Sequence, residues 1–302
     1  MVAGLGGRVE IKHQGHEKST RRPLGLPHDW WRSAEVCRVL SDWFSRHLLG
    51  LYTAYDVDGT RTHRVDTGFL LSHREMLFWA TAGHVIDEVS EILRSPRCRV
   101  VQMMWGDGCD IAGAQSVLVH DRNLLTYSAL GSGIDFGVAA IVGLDAENIV
   151  AGGRVVAITE EIWRNIESAN PDGYYLIGYP ATWVAATSSV DGGGSVRWSI
   201  QADLSCIPLC RVEGPPRDAP EYRARDEGAF YGRLLPVLDG EGYQPGSIKG
   251  MSGGPVLSVE RDPDGSVRYR LFGIQSSWWS RSRVIRAEPI HRIVALMGGL
   301  GG

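Results

Sequence analysis

The chain of 302 residues is poor in several features that would narrow its class. Its five cysteines, Cys37, Cys98, Cys109, Cys206 and Cys210, are odd in number and follow no repeated spacing. That excludes the disulfide framework of a small secreted fold. Cys206 and Cys210 stand four apart, but no second cysteine or histidine pair at metal-site spacing accompanies them, so the thiols read as buried or free and no metal is expected. No apolar run approaches the ~18 residues of a membrane span. The opening "MVAGLGGRVEIKHQGHEKSTRRPLG" lacks the apolar core of a secretory signal. Charge of one sign is scarce too: a net charge of −4 gives no pull toward nucleic acid or an anionic membrane. Together these absences point to the cytoplasm, where the thiols stay reduced.

Glycine is what the chain has in excess, 38 residues against only 14 prolines. The glycines are scattered, which indicates many tight turns rather than disorder and favours an all-β protein of short strands. Residues 1–27 are polar and without periodicity, a mobile tail. Residues 32–49, "RSAEVCRVLSDWFSRHLL", set Val36, Val39, Leu40, Trp43, Phe44 and Leu48 at helical spacing. Ser33 with Glu35 marks the start of that amphipathic helix and Gly50 its stop.

From Leu51 the pattern changes to short aromatic or β-branched runs between turn clusters. Among them are "LYTAYDV", "RVDTGFLLSH", "MLFWATAGHV", "CRVVQMMW", "AQSVLVH", "FGVAAIV", "VVAIT", "YYLIGYP", "SVRWSIQADL", "GPVLSVE", "YRLFGIQSS" and "SRVIRAEPI". About a dozen such strands suit barrels or sandwiches. Residues 211–245, rich in Pro, Gly and charge, read as a long surface loop, and 289–297 as a short terminal helix. "DGGGSV" at 191–196 lacks the Lys-Ser/Thr and the helix of a phosphate loop, so it reads as a β-turn.

Three residues carry candidate chemistry. Ser252 lies in "KGMSGGP", where Gly250, Gly253 and Gly254 permit a backbone that gathers N–H groups into one hollow. The N–H groups of Gly250 and Ser252 would form an oxyanion hole. A serine hydroxyl needs a base, and His84 in "FWATAGHVID" follows an apolar strand with small residues around it. His47 on the helix, His63 and His73 in turn clusters and His291 on the terminal helix read as surface or satisfied core residues. The imidazole needs a carboxylate to hold its tautomer. Asp135 in "GSGIDFGVAAIV" opens an apolar strand, whereas Asp87 shares the local turn of His84 and Asp110 sits in the polar cluster "GDGCD".

The order His84, Asp135, Ser252, with "TAGH", "DFGVA" and "GMSGGP", resembles the chymotrypsin-like (trypsin-like) serine peptidases of the PA clan. The resemblance spans roughly residues 50–298. "DTGFLLS", "LIGYP" and "LFGIQSS" add to it, the last being similar to the strand beside which substrate docks as an added strand. The resemblance implies two six-stranded antiparallel Greek-key β-barrels, 50–150 and 151–302, preceded by the tail and helix of 1–49, with the site in the cleft between them. It implies peptide hydrolysis through an acyl-enzyme, a protein or peptide substrate, and no cofactor. Met251 stands where the secreted digestive members carry an Asp that pairs with a newly cut N-terminus, so activation by N-terminal cleavage is not expected. That leaves a regulatory protein partner or loop ordering as a possible switch. Gly246 stands where trypsin-type members carry a pocket Asp, so nothing supports a preference for Lys or Arg. Gln275, Ser276, Ser277 and Trp278 would line the pocket wall. Trp278 could point inward or lie on the surface beside Trp279, and Arg281, Arg283 and Arg286 read as a solvated basic strand. A peptide-binding module without turnover is the competing reading. An esterase elbow is excluded because a strand, not a helix, follows Ser252.

Overall fold

The structure, a computed structural model, describes residues 8–9, 29–107, 116–119, 124–151, 155–163, 171–190, 196–219, 228–238 and 247–297. Part of the expected tail is ordered: strand β1 (Arg8–Val9) pairs antiparallel with Arg268 and Val267.

Helix α1 (Ala34–Phe44) is capped as expected, since Ser33 Oγ accepts the Val36 N–H at 3.3 Å. It ends at Phe44, short of the expected span, and a 3-10 turn follows over Ser45–His47. Gly50 lies not at a helix stop but inside the next strand. Val36, Cys37, Leu40 and Phe44 are buried along one stripe, and the Phe44 ring packs 5.1 Å from that of Tyr269. The apolar face of the helix is therefore covered by the protein's own core. His47 is equally structural, with Nδ1 2.7 Å from the Val156 carbonyl and Nε2 2.8 Å from the Tyr269 hydroxyl.

Eight strands follow in two four-stranded antiparallel sheets. They are β2 (Leu49–Val57), β3 (Thr60–Asp66), β4 (Phe69–His73), β5 (Met76–Thr81), β6 (Cys98–Asp107), β7 (Ser116–Leu118), β8 (Thr126–Ser128) and β9 (Gly137–Ile141). One sheet runs β3-β2-β6-β7 and the other β4-β5-β9-β8, joined by a bridge between Leu48 and Phe69. Their strand ladders do not close into a single six-stranded ring among the described residues. His63 and His73, expected in turns, lie in β3 and β4.

Helix α2 (Gly83–Arg94) departs from the strand-only expectation for this region. Val85, Ile86, Val89 and Ile92 are buried at helical spacing, and the first three enter a core with Leu70, Trp79 and Trp105. Two further helices, α3 (Gly143–Ala151) and α4 (Glu160–Trp163), were likewise not expected. "VVAIT" forms only a bridge from Ile158 to Leu71 rather than a strand.

The second half contains a closed barrel. Its strands are β10 (Gly173–Gly178), β13 (Ser205–Arg211), β14 (Phe230–Leu234), β15 (Pro255–Arg261), β16 (Val267–Trp279) and β17 (Val284–Pro289). A separate antiparallel pair, β11 (Val184–Val190) with β12 (Val196–Ala202), lies outside the ring, and residues 191–195 of the expected β-turn lie outside the described residues. The ring runs β16-β15-β10-β13-β14-β17, and β17 pairs back onto β16. Closure depends on β14, which lies inside the segment expected to be a loop. Its pairing with β13 and β17, not its local sequence, makes it a strand. Tyr174, Phe230 and Phe272 fill the interior with ring centroids 4.8–5.0 Å apart. Helix α5 (Ile290–Met297) ends the described chain as expected. No described helix is long and apolar enough to cross a membrane.

Candidate active site

His84 is the second residue of α2, directly after the inward end of β5. Gly83 is required just before it, because a Cβ there would come 2.9 Å from the Phe136 carbonyl oxygen. Asp135 lies between a 3-10 turn over Leu130–Ser132 and the start of β9, which pairs with β5. Adjacent strands thus deliver the imidazole and the carboxylate side by side. Asp135 Oδ2 is 2.9 Å and Oδ1 3.1 Å from His84 Nδ1, and Oδ1 also accepts the His84 backbone N–H at 3.0 Å. One carboxylate therefore holds both the ring and the first turn of the helix. Asp87, on α2, makes no such contact, and Asp110 lies outside the described residues.

The hydrogen bond that Asp135 accepts from His84 raises the His84 pKa above the ordinary imidazole value. Burial opposes that shift, Asp135 and Glu88 charges add to it, and Arg64 subtracts from it. Arg64 bridges two acids beside the histidine: its Nε donates to Asp66 at 2.6 Å, and its Nη1 lies 2.6 Å from Glu88. Burial pushes the Asp66 carboxyl up to about 6 against the pull of Arg64.

Ser252 stands half-buried in the turn that leads into β15. Gly250 and Gly253 have φ of +96° and +90°, in the left-handed region that favours glycine. At both positions a Cβ would also collide. On Gly250 it would lie 2.7 Å from the Ala181 nitrogen; on Gly253 it would overlap Thr81 Oγ1 and reach 2.5 Å from the Thr67 carbonyl oxygen. The second collision sets the serine turn against the end of β5, three residues before His84. Thr67 Oγ1 completes the contact by donating to the Gly250 carbonyl at 2.9 Å and accepting the Tyr179 N–H at 3.0 Å. Thr67 and Thr81 had no signal in the sequence beyond their nearness to glycine-bearing motifs.

The turn's amides divide into two sets. Met251 N–H donates to the Ile248 carbonyl, Gly253 N–H to the Gln275 carbonyl and Gly254 N–H to the Met251 carbonyl, all at 2.9–3.0 Å. Among the described residues no hydrogen bond engages the N–H of Gly250 or of Ser252. These two amides are the ones expected to face an oxyanion. Likewise, among the described residues neither Ser252 Oγ nor His84 Nε2 is hydrogen-bonded.

The expected pocket wall is placed less uniformly. Gln275 is buried, its backbone N–H donates to the Gly254 carbonyl at 2.9 Å, and its Nε2 donates to the Ser277 carbonyl at 3.1 Å. Ser277 follows a register shift in the β16–β17 ladder and is half-buried. Trp278 points inward, packing on the barrel cluster that contains Met251, Ile285 and Ala287. Ser276 is buried and accepts from Arg286 Nη1 at 3.0 Å. Arg286 is itself buried, which corrects its reading as part of a solvated strand. Gly246 lies outside the described residues. A cavity of about 630 Å³ elsewhere on the barrel is bordered by Trp31, Tyr174, Arg211, Arg270 and Phe272, and by none of His84, Asp135 or Ser252.

No family description and no curated protein matches the chain. Solved structures do. The Rv3671c protease of M. tuberculosis in its active form is 14% identical over 95% of this chain and 95% of that one, with a TM-score of 0.43. Protease Anisep from Arthrobacter nicotinovorans is 14% identical over 81% and 90%, at 0.40. The thermostable serine protease AL20, from an extremophilic microorganism, is 13% identical over 81% and 91%, at 0.41. Likeness at this level is one of general shape, and the functional reading rests on the side chains.

Proposed function

We propose that the chain is a serine endopeptidase acting on a restricted set of proteins or peptides, with Ser252 as nucleophile, His84 as base and Asp135 as the acid that orients it. The observation that carries this reading is the Asp135 carboxylate on His84 Nδ1, which leaves Nε2 as the proton acceptor. The turn bearing Ser252 supports it, because two unengaged amides flank Met251 there. The accompanying fold reading is a pair of six-stranded Greek-key barrels, 50–150 and 151–302, with the site between them; the closed ring of β10 and β13–β17 supports its second half.

Ser252 Oγ attacks the scissile carbonyl carbon as His84 Nε2 takes its proton. The new oxyanion is held by the N–H groups of Gly250 and Ser252. Collapse expels the amine, which takes the proton back from His84, and leaves an ester on Ser252. Water, deprotonated by His84, attacks that ester by the same route and releases the acid. Asp135 remains ionised throughout and stabilises the imidazolium. The step needs no cofactor.

Trp278, partly buried against the barrel cluster, would narrow the first pocket toward small side chains, and Met251, buried in the barrel, offers no partner for a cut N-terminus. One observation favours the competing reading, a peptide-binding module: Ser252 Oγ and His84 Nε2 share no hydrogen bond among the described residues. Such bonds commonly tighten only with substrate in place. N-terminal profiling of a proteome digest separates the two readings. A peptidase yields new termini with the wild-type chain and none with Ser252→Ala, along with the residue preference. A binding module yields identical profiles for both.

A further inference from the structure

Behind Asp135 lies a buried charge cluster that the chemistry above does not use. Glu288, on β17, has no solvent exposure. Its Oε1 accepts the backbone N–H of Asp135 at 3.2 Å and lies 2.6 Å from Arg286 Nη1. Its Oε2 accepts from Arg292 Nη1, on α5, at 3.1 Å. Arg286 Nη1 in turn donates to Ser276 on β16.

Taking such charges out of water costs several kcal/mol per ion, and well-packed apolar residues often hold a fold equally well. Stability alone is thus a weak reason for the cluster. Its geometry supplies a better one. Asp135 lies in an irregular stretch between a 3-10 turn and β9, where no ladder fixes its main chain. The residue that grips its N–H belongs to the barrel that carries Ser252. The alternation along β17 agrees: Ile285 and Ala287 face the barrel core, while Arg286 and Glu288 take the opposite face, toward the Asp135 loop.

We propose that Glu288, clamped by Arg286 and Arg292, is a positioning residue that fixes Asp135, and through it His84, relative to the barrel bearing Ser252. The same clamp ties Ser276, on the strand expected to receive substrate, to the acid of the triad. This role rests on the peptidase reading, so its test carries a readout independent of turnover.

The full-length chain, with ¹⁵N-labelled histidine, is compared as wild type, Glu288→Gln, Glu288→Ala and the doubly apolar Arg286→Leu/Glu288→Leu. The double variant removes both buried charges and so separates misplacement of Asp135 from misfolding around a stranded guanidinium. Two quantities are read: the Nδ1–H resonance of His84, and the rate of labelling by a fluorophosphonate. In wild type the Nδ1–H signal should be the shifted, slowly exchanging one of a carboxylate-bound imidazole. The proposal expects it to broaden or move in Glu288→Ala and in the double variant, with labelling slowed about 10–100-fold. Glu288→Gln keeps an oxygen for the Asp135 N–H and should lose less. A folded double variant with an unchanged His84 signal and labelling within about twofold of wild type would overturn the proposal. A wild-type chain that resists labelling, yet whose His84 signal still depends on Glu288, would instead count against the peptidase reading and for the positioning role.

Discussion

Asp135→Asn changes one atom of the carboxylate, and the consequences follow from its three contacts. Asp135 Oδ1 accepts the His84 backbone N–H at 3.0 Å, and the two oxygens sit 2.9 and 3.1 Å from Nδ1. An amide has one acceptor and one donor group. If the oxygen keeps the backbone N–H, the NH₂ group faces Nδ1, which must then accept. The imidazole proton moves to Nε2, the nitrogen that should receive the proton of Ser252. The ring stays in place in the wrong tautomer. Loss of the correct tautomer in a triad of this kind costs about 10⁴ in rate, or roughly 5.5 kcal/mol of barrier. The assay is the second-order rate constant for fluorophosphonate labelling, followed by intact mass at neutral pH. A melting temperature close to wild type would show that the isosteric change left the fold alone. Labelling of Asp135→Asn within about tenfold of wild type would refute the assignment of Asp135 as the orienting acid.

Other expectations follow from the same contacts. Because Asp135 raises the His84 pKa, the base should become neutral only above the ordinary imidazole value of about 6.5; the labelling rate should therefore rise with pH to a midpoint above that value, and the midpoint should fall in Asp135→Asn. In linkage terms, a raised histidine pKa contributes stability that is full below the ordinary value and lost as pH rises through the raised one, so melts of Asp135→Asn should show a weaker pH dependence across that window. Gly253→Ala forces a side chain onto Thr81 at φ +90°; the backbone strain alone is worth roughly 1–3 kcal/mol, and thermal melts with labelling should show a lower melting temperature and lost reactivity. Leu40→Ala empties a fully buried site on α1 and should cost about 2–5 kcal/mol in urea unfolding; a loss below about 1 kcal/mol would mean that the helix is not docked.

The site was more legible than the scaffold around it. "GMSGGP", "TAGH" and "DFGVA" were readable because each joins a reactive side chain to glycines or small residues with a local steric purpose, and Gly83, Gly250 and Gly253 do meet close neighbours. Strand β14 was hidden in a polar, glycine-bearing stretch, because only pairing with β13 and β17 makes Phe230–Leu234 extended. Helix α2 carried a helical pattern in Val85, Ile86, Val89 and Ile92, but the apolar strand running straight into it masked the change of period. Glu288 was least legible. In "VIRAEP" an alternating Arg and Glu looks like a solvated face, and only the Asp135 loop, distant in sequence, and α5, which follows β17 directly, turn that face inward. A pattern of period two reports that two faces differ; it does not report which one meets water.

The central claim is that Ser252 is a nucleophile activated by His84. The most direct measurement is peptide mapping of the intact chain after reaction with a fluorophosphonate, beside Ser252→Ala and His84→Ala. The account predicts one adduct, on Ser252, absent from Ser252→Ala and strongly slowed in His84→Ala. An unlabelled wild-type chain, or an adduct on another residue that persists in Ser252→Ala, would contradict it.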